Sequence, residues 1–332
     1  MEIPQYQSLK QDADRALTRG RDPQKVILYY LGAITLMAAG LTVLDFWLSS
    51  QISNAGGLGN LGIRSILSTV QAILPMTQSV LLMCLELGYL HAMLRISRGQ
   101  YADHTDLKMG FRRFFPMLRL TLLQGFIYFG VAFVTFYLSM QIFAFTPWYD
   151  ELYTVMMPLM NEQTILNPTE IVMDEATAFQ ILEAMLPMLL IYLAVYGIAA
   201  LVISYRFRMA NYALLDAPNA GAMAALRASS KMMRRNSLKL LKVDLHLWWY
   251  FLLSILCNLI AYGDMLLPMV GVNLPFNETV SFFVFYGVYL AALFAVNYCF
   301  RNRVEAIYIM AYESICPKPD DNSVVLGNIF DM

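Results

Sequence analysis

The stretch Leu81–Gly99, LLMCLELGYLHAMLRISRG, is hydrocarbon-loving almost throughout, yet Glu86 stands inside it and His91 and Arg95 close it. On a helix Glu86 shares its face with Tyr89 and Leu90, while His91 largely points elsewhere. Nothing on its own helix can therefore neutralise it. Glu86 lies nine residues before Arg95, so about 13 Å deeper at 1.5 Å per residue. A carboxylate at that depth has to be protonated, wetted or paired with a base from another helix. Two bases at the ends of other apolar runs, Arg206 and Arg301, are placed to reach it, with Arg206 first in order.

The rest of the chain agrees that the solvent is lipid. It has 332 residues, 58% hydrophobic and only 14% charged, with a mean hydropathy of +0.53. A soluble domain carries roughly 25% charge. Six apolar runs, 26–49, 66–94, 117–144, 181–205, 243–263 and 279–300, are each long enough to cross about 30 Å as a helix. The first 25 residues are polar and of mixed charge, which is no cleavable signal peptide. A net charge of −1 offers no general attraction for nucleic acid.

The bases choose the sides. Of 23 Lys and Arg residues, all but Arg64 fall on the N-terminal segment and on alternate connections. None lies between Arg119 and Arg206. By the positive-inside rule both termini are expected in the cytoplasm. The expected organisation is a cytoplasmic amphipathic segment 1–25, a six-span membrane domain 26–314 and a cytoplasmic tail 315–332. Within the membrane domain 145–180 is an acidic outer loop, and 95–116 and 206–242 are cytoplasmic connections. The fold class is all-α, a polytopic six-helix bundle with short amphipathic interfacial helices on the cytoplasmic face.

Those connections look like helices lying at the surface. In NAGAMAALRASSKMMRRNS, beginning at Asn219, Met223, Leu226 and Met233 share one face, and Arg227, Lys231 and Arg234 another. Asn219 is placed to cap its first turn. HTDLKMGFRRFFPML repeats the design with Arg112 and Arg113 among aromatic anchors. Anionic headgroups are the expected contact of these five bases, each contributing on the order of 1 kcal/mol.

The segment SYRFRMANYALLDAPNAGAMAALRASSKMMRRNSLKLLKVDLHLWWYFLLSIL, with Asp216 and Pro218 in its turn, resembles the bacterial six-span membrane proteins grouped as domain of unknown function 975. LRISRG followed by DLKMGFRRF, with Asp106, Gly110 and Phe111, is similar to the same family's other connection, and LKQDADRAL to its lead-in. The resemblance covers about residues 8–20, 80–120 and 204–256. It implies a bacterial plasma-membrane protein and carries no activity with it.

Candidate chemistry is sparse. Glu86 with Arg206, Arg301, Asn258 and Asn297 makes up a candidate intramembrane polar site, read either as a proton or cation site or as a structural ion pair. Pro75 predicts a kink beside it. WYD at Asp150 and AYGD at Asp264 approach the two motifs of intramembrane aspartyl proteases. The first glycine of the second motif is missing, and both aspartates fall at outer ends. No HExxH, GxSxG or metal-ligand spacing occurs, and the four cysteines are scattered. No catalytic residue, metal or cofactor is expected. The leading expectation is a non-catalytic membrane module that binds lipid, a peptide or a partner protein in transport support or envelope maintenance. A small transporter using Glu86 comes second and an intramembrane enzyme third.

Overall fold

Leu9, Ala13 and Ala16 recur at helical spacing and are the buried side of the first helix, α1, Tyr6–Arg19. The computed structural model describes residues 2–19, 23–54, 61–157, 175–217, 221–269, 271 and 277–316, and among them there is no strand. Helix α2, Pro23–Asn54, opens on a proline, whose missing N–H has no acceptor to lose there. Helix α3, Leu61–Ser97, runs unbroken through Pro75. It ends at Gly99, whose φ is 74°. The amides of Gly99 and Gln100 turn back to the carbonyls of Ile96 and Arg95, both at 2.9 Å, and so satisfy the last turn.

Asp103 then caps a 3-10 turn, His104–Lys108, and Asp106 returns a bond to the Asp103 amide. A single helical turn follows, α4, Met109–Arg112. Two glycines fix how closely this connection lies on α3. A Cβ on Gly110 would sit 1.7 Å from the Cys84 carbonyl oxygen, and one on Gly88 would sit 2.1 Å from that of Leu107. The remaining helices are α5, Phe114–Ala144, α6, Trp148–Met156, α7, Glu175–Phe207, α8, Ala210–Asp216, α9, Ala222–Met233, α10, Ser237–His246, α11, Trp248–Ala261, α12, Gly263–Met269, and α13, Glu278–Ile315. Asn277 caps α13 by accepting the Val280 amide at 2.9 Å.

Among the described residues, five helices are long and apolar enough to cross a membrane: Pro23–Ser53, Gly62–Ser97, Phe114–Ala144, Phe179–Asp216 and Thr279–Ile315. The expected span 243–263 is instead two helices, α10 and α11, meeting at 63°, and this pair is a sixth span if it counts as one. The bend falls at Leu247, between a polar helix ending in Asp244 and His246 and an apolar one opening on Trp248 and Trp249. Such a set of helices is that of a membrane-embedded, multi-pass protein. Much of the glycine-rich turn in 50–65, at residues 55–60, and nearly half of the acidic segment 145–180, at residues 158–174, lie outside the described ones.

The chain divides into two compact units, Met1–Leu118 with Met209–Met332, and Arg119–Arg208. In the smaller, Phe143 and Ser139 are buried, and Phe136 of α5 meets Tyr192 of α7 edge to face at 5.9 Å. In the larger, the buried core is concentrated near one end of the helices. Tyr89, Met93 and Ile96 of α3, Leu9 and Ala13 of α1, Leu214 of α8 and Tyr312 of α13 are all at most 1–2% exposed. The apolar stretches bury far less. Lipid solvates a leucine as well as protein does, so close packing of apolar side chains has its driving force where the helices meet water. Helix α13 shows how far that end reaches. Its 38 residues span about 57 Å. Beyond Arg301 it buries Val304, Ile307, Tyr308, Ala311, Tyr312 and Ile315, one continuous stripe.

Candidate functional site

Glu86 meets Arg301. The Arg301 Nη2 donates to both carboxylate oxygens at 2.6 Å, and the Tyr30 hydroxyl donates to Oε2. Helices α2, α3 and α13 each supply one of the three groups. The rings of Tyr30 and Tyr89 stack with centroids 4.4 Å apart, and the Arg301 guanidinium lies 4.9 Å and 5.3 Å from them. Tyr89 in turn donates to Asn302 Oδ1 at 2.9 Å, and Asn302 donates to the Pro23 carbonyl at 3.1 Å. The charge is thus neutralised by a charge-assisted pair that lies against a stacked pair of tyrosines. Arg301 takes the place for which Arg206 stood first. Arg206 closes the last turn of α7, in the smaller unit.

This pair is not sealed. The Glu86 side chain is 37% exposed and that of Arg301 21%. Both line a cleft of about 740 Å³, with Thr42, Gln78 and Tyr286 among its other polar walls. The two asparagines of the expected site have other uses. Asn297 is buried and accepts the Tyr250 hydroxyl at 2.9 Å, joining α11 to α13. Asn258 is exposed and donates to the Ser254 carbonyl of its own helix at 2.7 Å. Asp150 and Asp264 each lie in the first turn of a short helix, α6 and α12.

A second set of charged groups gathers at the packed end of the larger unit. Arg95 binds Asp106 at 2.6 Å, and Arg303 binds Asp14 at 2.8 Å. Arg98 holds Asp216 at 2.7 Å and Glu313 at 2.6 Å, while the Tyr312 hydroxyl donates to Asp216 at 2.8 Å. Burial opposes the charge on Arg98, but its hydrogen bonds to Asp216 and Glu313 outweigh that and push its pKa up. Lys239 pairs with Glu2, and this hydrogen bond holds the Glu2 carboxyl below its usual range. Tyr308 donates to Asp244 at 2.5 Å, and Tyr212 to Glu305. These bonds tie the N-terminal segment, both basic connections and the end of α13 into one network. Asp106, Gly110 and Asp216, singled out as motif residues, all work within this assembly.

The five candidate headgroup contacts divide. Arg112, Arg227, Lys231 and Arg234 are exposed. Arg113 is half-buried and donates to the carbonyls of Leu214 and Leu215 at 3.0 and 3.1 Å, capping the end of α8. Helix α9 also departs from expectation. Its buried face, Ala225, Leu226, Ala228, Ser229 and Met233, packs into protein rather than lipid, and Met223 is left 49% exposed. Its N-cap is Gly221, and Asn219 lies outside the described residues. Tyr30, Asn302 and the stripe 304–315 were missed as partners of the site. The stripe could have been read from its spacing, whereas nothing local distinguishes Tyr30 from Tyr29 before it.

No curated protein and no solved structure matches the chain. A family model does, over residues 24–298, which takes in every candidate span as far as the last one and both motif-bearing connections. The chain belongs to that family, described as Protein of unknown function (DUF975).

Proposed function

We propose that this is a non-catalytic module of the bacterial plasma membrane, six-span with both termini cytoplasmic, that engages anionic lipid headgroups through its basic face. The observation that carries this reading is the outer face of α9. Arg227, Lys231 and Arg234 project there while the opposite face is anchored in the protein core. The helix therefore lies along the membrane surface as a fixed basic rail. It does not insert its apolar side among acyl chains, so charge alone drives the contact. Alternation of bases along the chain supports the cytoplasmic side for this face. The test is thermal unfolding of the full chain in detergent with added phosphatidylglycerol or phosphatidylcholine. Phosphatidylglycerol should stabilise it more, the advantage should fade with salt, and R227Q/K231Q/R234Q should lose most of it. Equal stabilisation by phosphatidylcholine at low salt, or a phosphatidylglycerol advantage that salt leaves unchanged, overturns the reading.

A second reading, a small transporter, is supported by the cleft onto which Glu86 and Arg301 open. Here Glu86 exchanges Arg301 for a proton or cation. Proteoliposomes carrying a pH-sensitive dye should then show uptake that Glu86→Gln abolishes while the protein still folds. Absence of any Glu86-dependent flux rules it out.

A further inference from the structure

We propose that the cavity between the last turns of α3 and the 104–112 connection is a discrete binding site for a single phosphate group. The cavity measures about 440 Å³ and is walled by His91, Arg95, Thr105, Asp106, Lys108 and Arg112. Its charges do not cancel. Asp106 is already engaged, by Arg95 at 2.6 Å and by the Asp103 amide at 2.9 Å. With imidazole neutral, three cations face one carboxylate, leaving a net charge of about +2, which suits a phosphate of one to two negative charges. Arg112 and Lys108 are exposed, and neither is drawn into the ion-pair network that occupies Arg95 and Arg98. His91 belongs to the same wall, with its Nε2 4.0 Å from the Asp106 carboxylate.

The setting favours a phosphate that arrives at an interface. His91 and Arg95 lie in the last turns of α3, where its apolar run gives way to charge. Tyr101, Phe111 and Phe115, all exposed, flank the cavity in sequence, as aromatic side chains do at headgroup depth. The recognised chemistry is the phosphate itself, carried by a lipid headgroup or by a soluble molecule. The site goes beyond the α9 rail: the rail attracts a charged surface, whereas the cavity holds one group.

The experiment uses the full chain in two arms. In one, inorganic phosphate is titrated into the protein in detergent and followed calorimetrically. In the other, native mass spectrometry counts phosphatidylglycerol retained by protein released from phosphatidylcholine nanodiscs containing a minor fraction of it. A saturable single site is expected, weakened at least tenfold in K108Q/R112Q and largely restored when Arg112 is replaced by Lys instead of Gln. Retention of lipid without response to inorganic phosphate assigns the site to a headgroup. Saturation by inorganic phosphate assigns it to the phosphate group irrespective of carrier. The rail variant R227Q/K231Q/R234Q should keep the single site while losing salt-sensitive stabilisation, so failure of one reading is distinct from failure of the other. Binding unchanged in K108Q/R112Q, or no saturable binding in either arm, overturns the proposal.

Discussion

At Glu86 three hydrogen bonds converge on one carboxylate, two from Arg301 and one from Tyr30. Removing the acid leaves Arg301 beside the stacked tyrosines with its counter-charge gone, whereas an amide can still accept from Tyr30. Glu86→Gln should therefore be mild, and Glu86→Ala should destabilise by about 3 kcal/mol. That is the low end for breaking a buried pair, because the carboxylate is 37% exposed. Tyr30→Phe should cost about 1 kcal/mol, the usual worth of one hydrogen bond. Thermal unfolding in detergent reads all three, and an Ala variant no less stable than Gln would separate Arg301 from any structural need for Glu86. The need for a partner was legible in the sequence, because the energetic penalty of a lone carboxylate depends only on its depth. The partner's identity was not. Arg206 and Arg301 both close apolar runs, and what favours Arg301 is a stacked pair of rings from two other positions, Tyr30 and Tyr89, that no local pattern ranks.

Among the elements, the 104–112 connection shows the tightest fit. The obstacle to a Cβ at Gly110 or Gly88 is a backbone carbonyl, which cannot rotate aside as a side-chain tip can. Gly110→Ala should push the connection off α3 and cost about 3 kcal/mol or more, the upper end of overpacking penalties. It should also disturb the Arg95–Asp106 pair. Gly88→Ala should act in the same direction. The two sites are neighbours, with Gly88 N 3.1 Å from the Cβ position of Gly110, so the double variant should lose less than the two losses added together. Melting temperatures and elution profiles of the four proteins check this, and a fully additive pair would mean the glycines act separately. The apolar runs located the long helices because length and hydropathy suffice for that. They missed the 63° bend at Leu247, which has no proline or glycine to announce it. They also ended the last helix near residue 300, since the stripe Val304–Ile315 is amphipathic rather than apolar. For α9 the pattern correctly separated a basic face from an apolar one. It could not say whether protein or lipid covers the apolar face, because both solvents favour the same residues.

For the whole molecule, the distribution of charge makes the strongest commitment. The segments carrying nearly all the bases meet one another in the larger unit, through Arg303–Asp14, Lys239–Glu2 and Arg98 with both Asp216 and Glu313. Pairs this short require those segments to lie on one side of any membrane the helices cross. The positive-inside rule alone bears on which side that is, and the cytoplasm is the side we propose. The check is cysteine labelling in intact cells with a membrane-impermeant maleimide, after replacing Cys84, Cys257, Cys299 and Cys316. Cysteines at Asn161 and Asn273 should be labelled from outside. Cysteines at Thr105 and Lys231, both exposed on the basic face, should react only after the cells are opened. Labelling of Lys231→Cys from outside would invert the molecule and place its basic rail where anionic cytoplasmic lipid is absent. Labelling of Thr105→Cys and Lys231→Cys from opposite sides would contradict the ion pairs themselves, since Arg98 cannot bind Asp216 across a bilayer. Because the two results fail different premises, the same four positions test both the charge rule and the packing at the basic end.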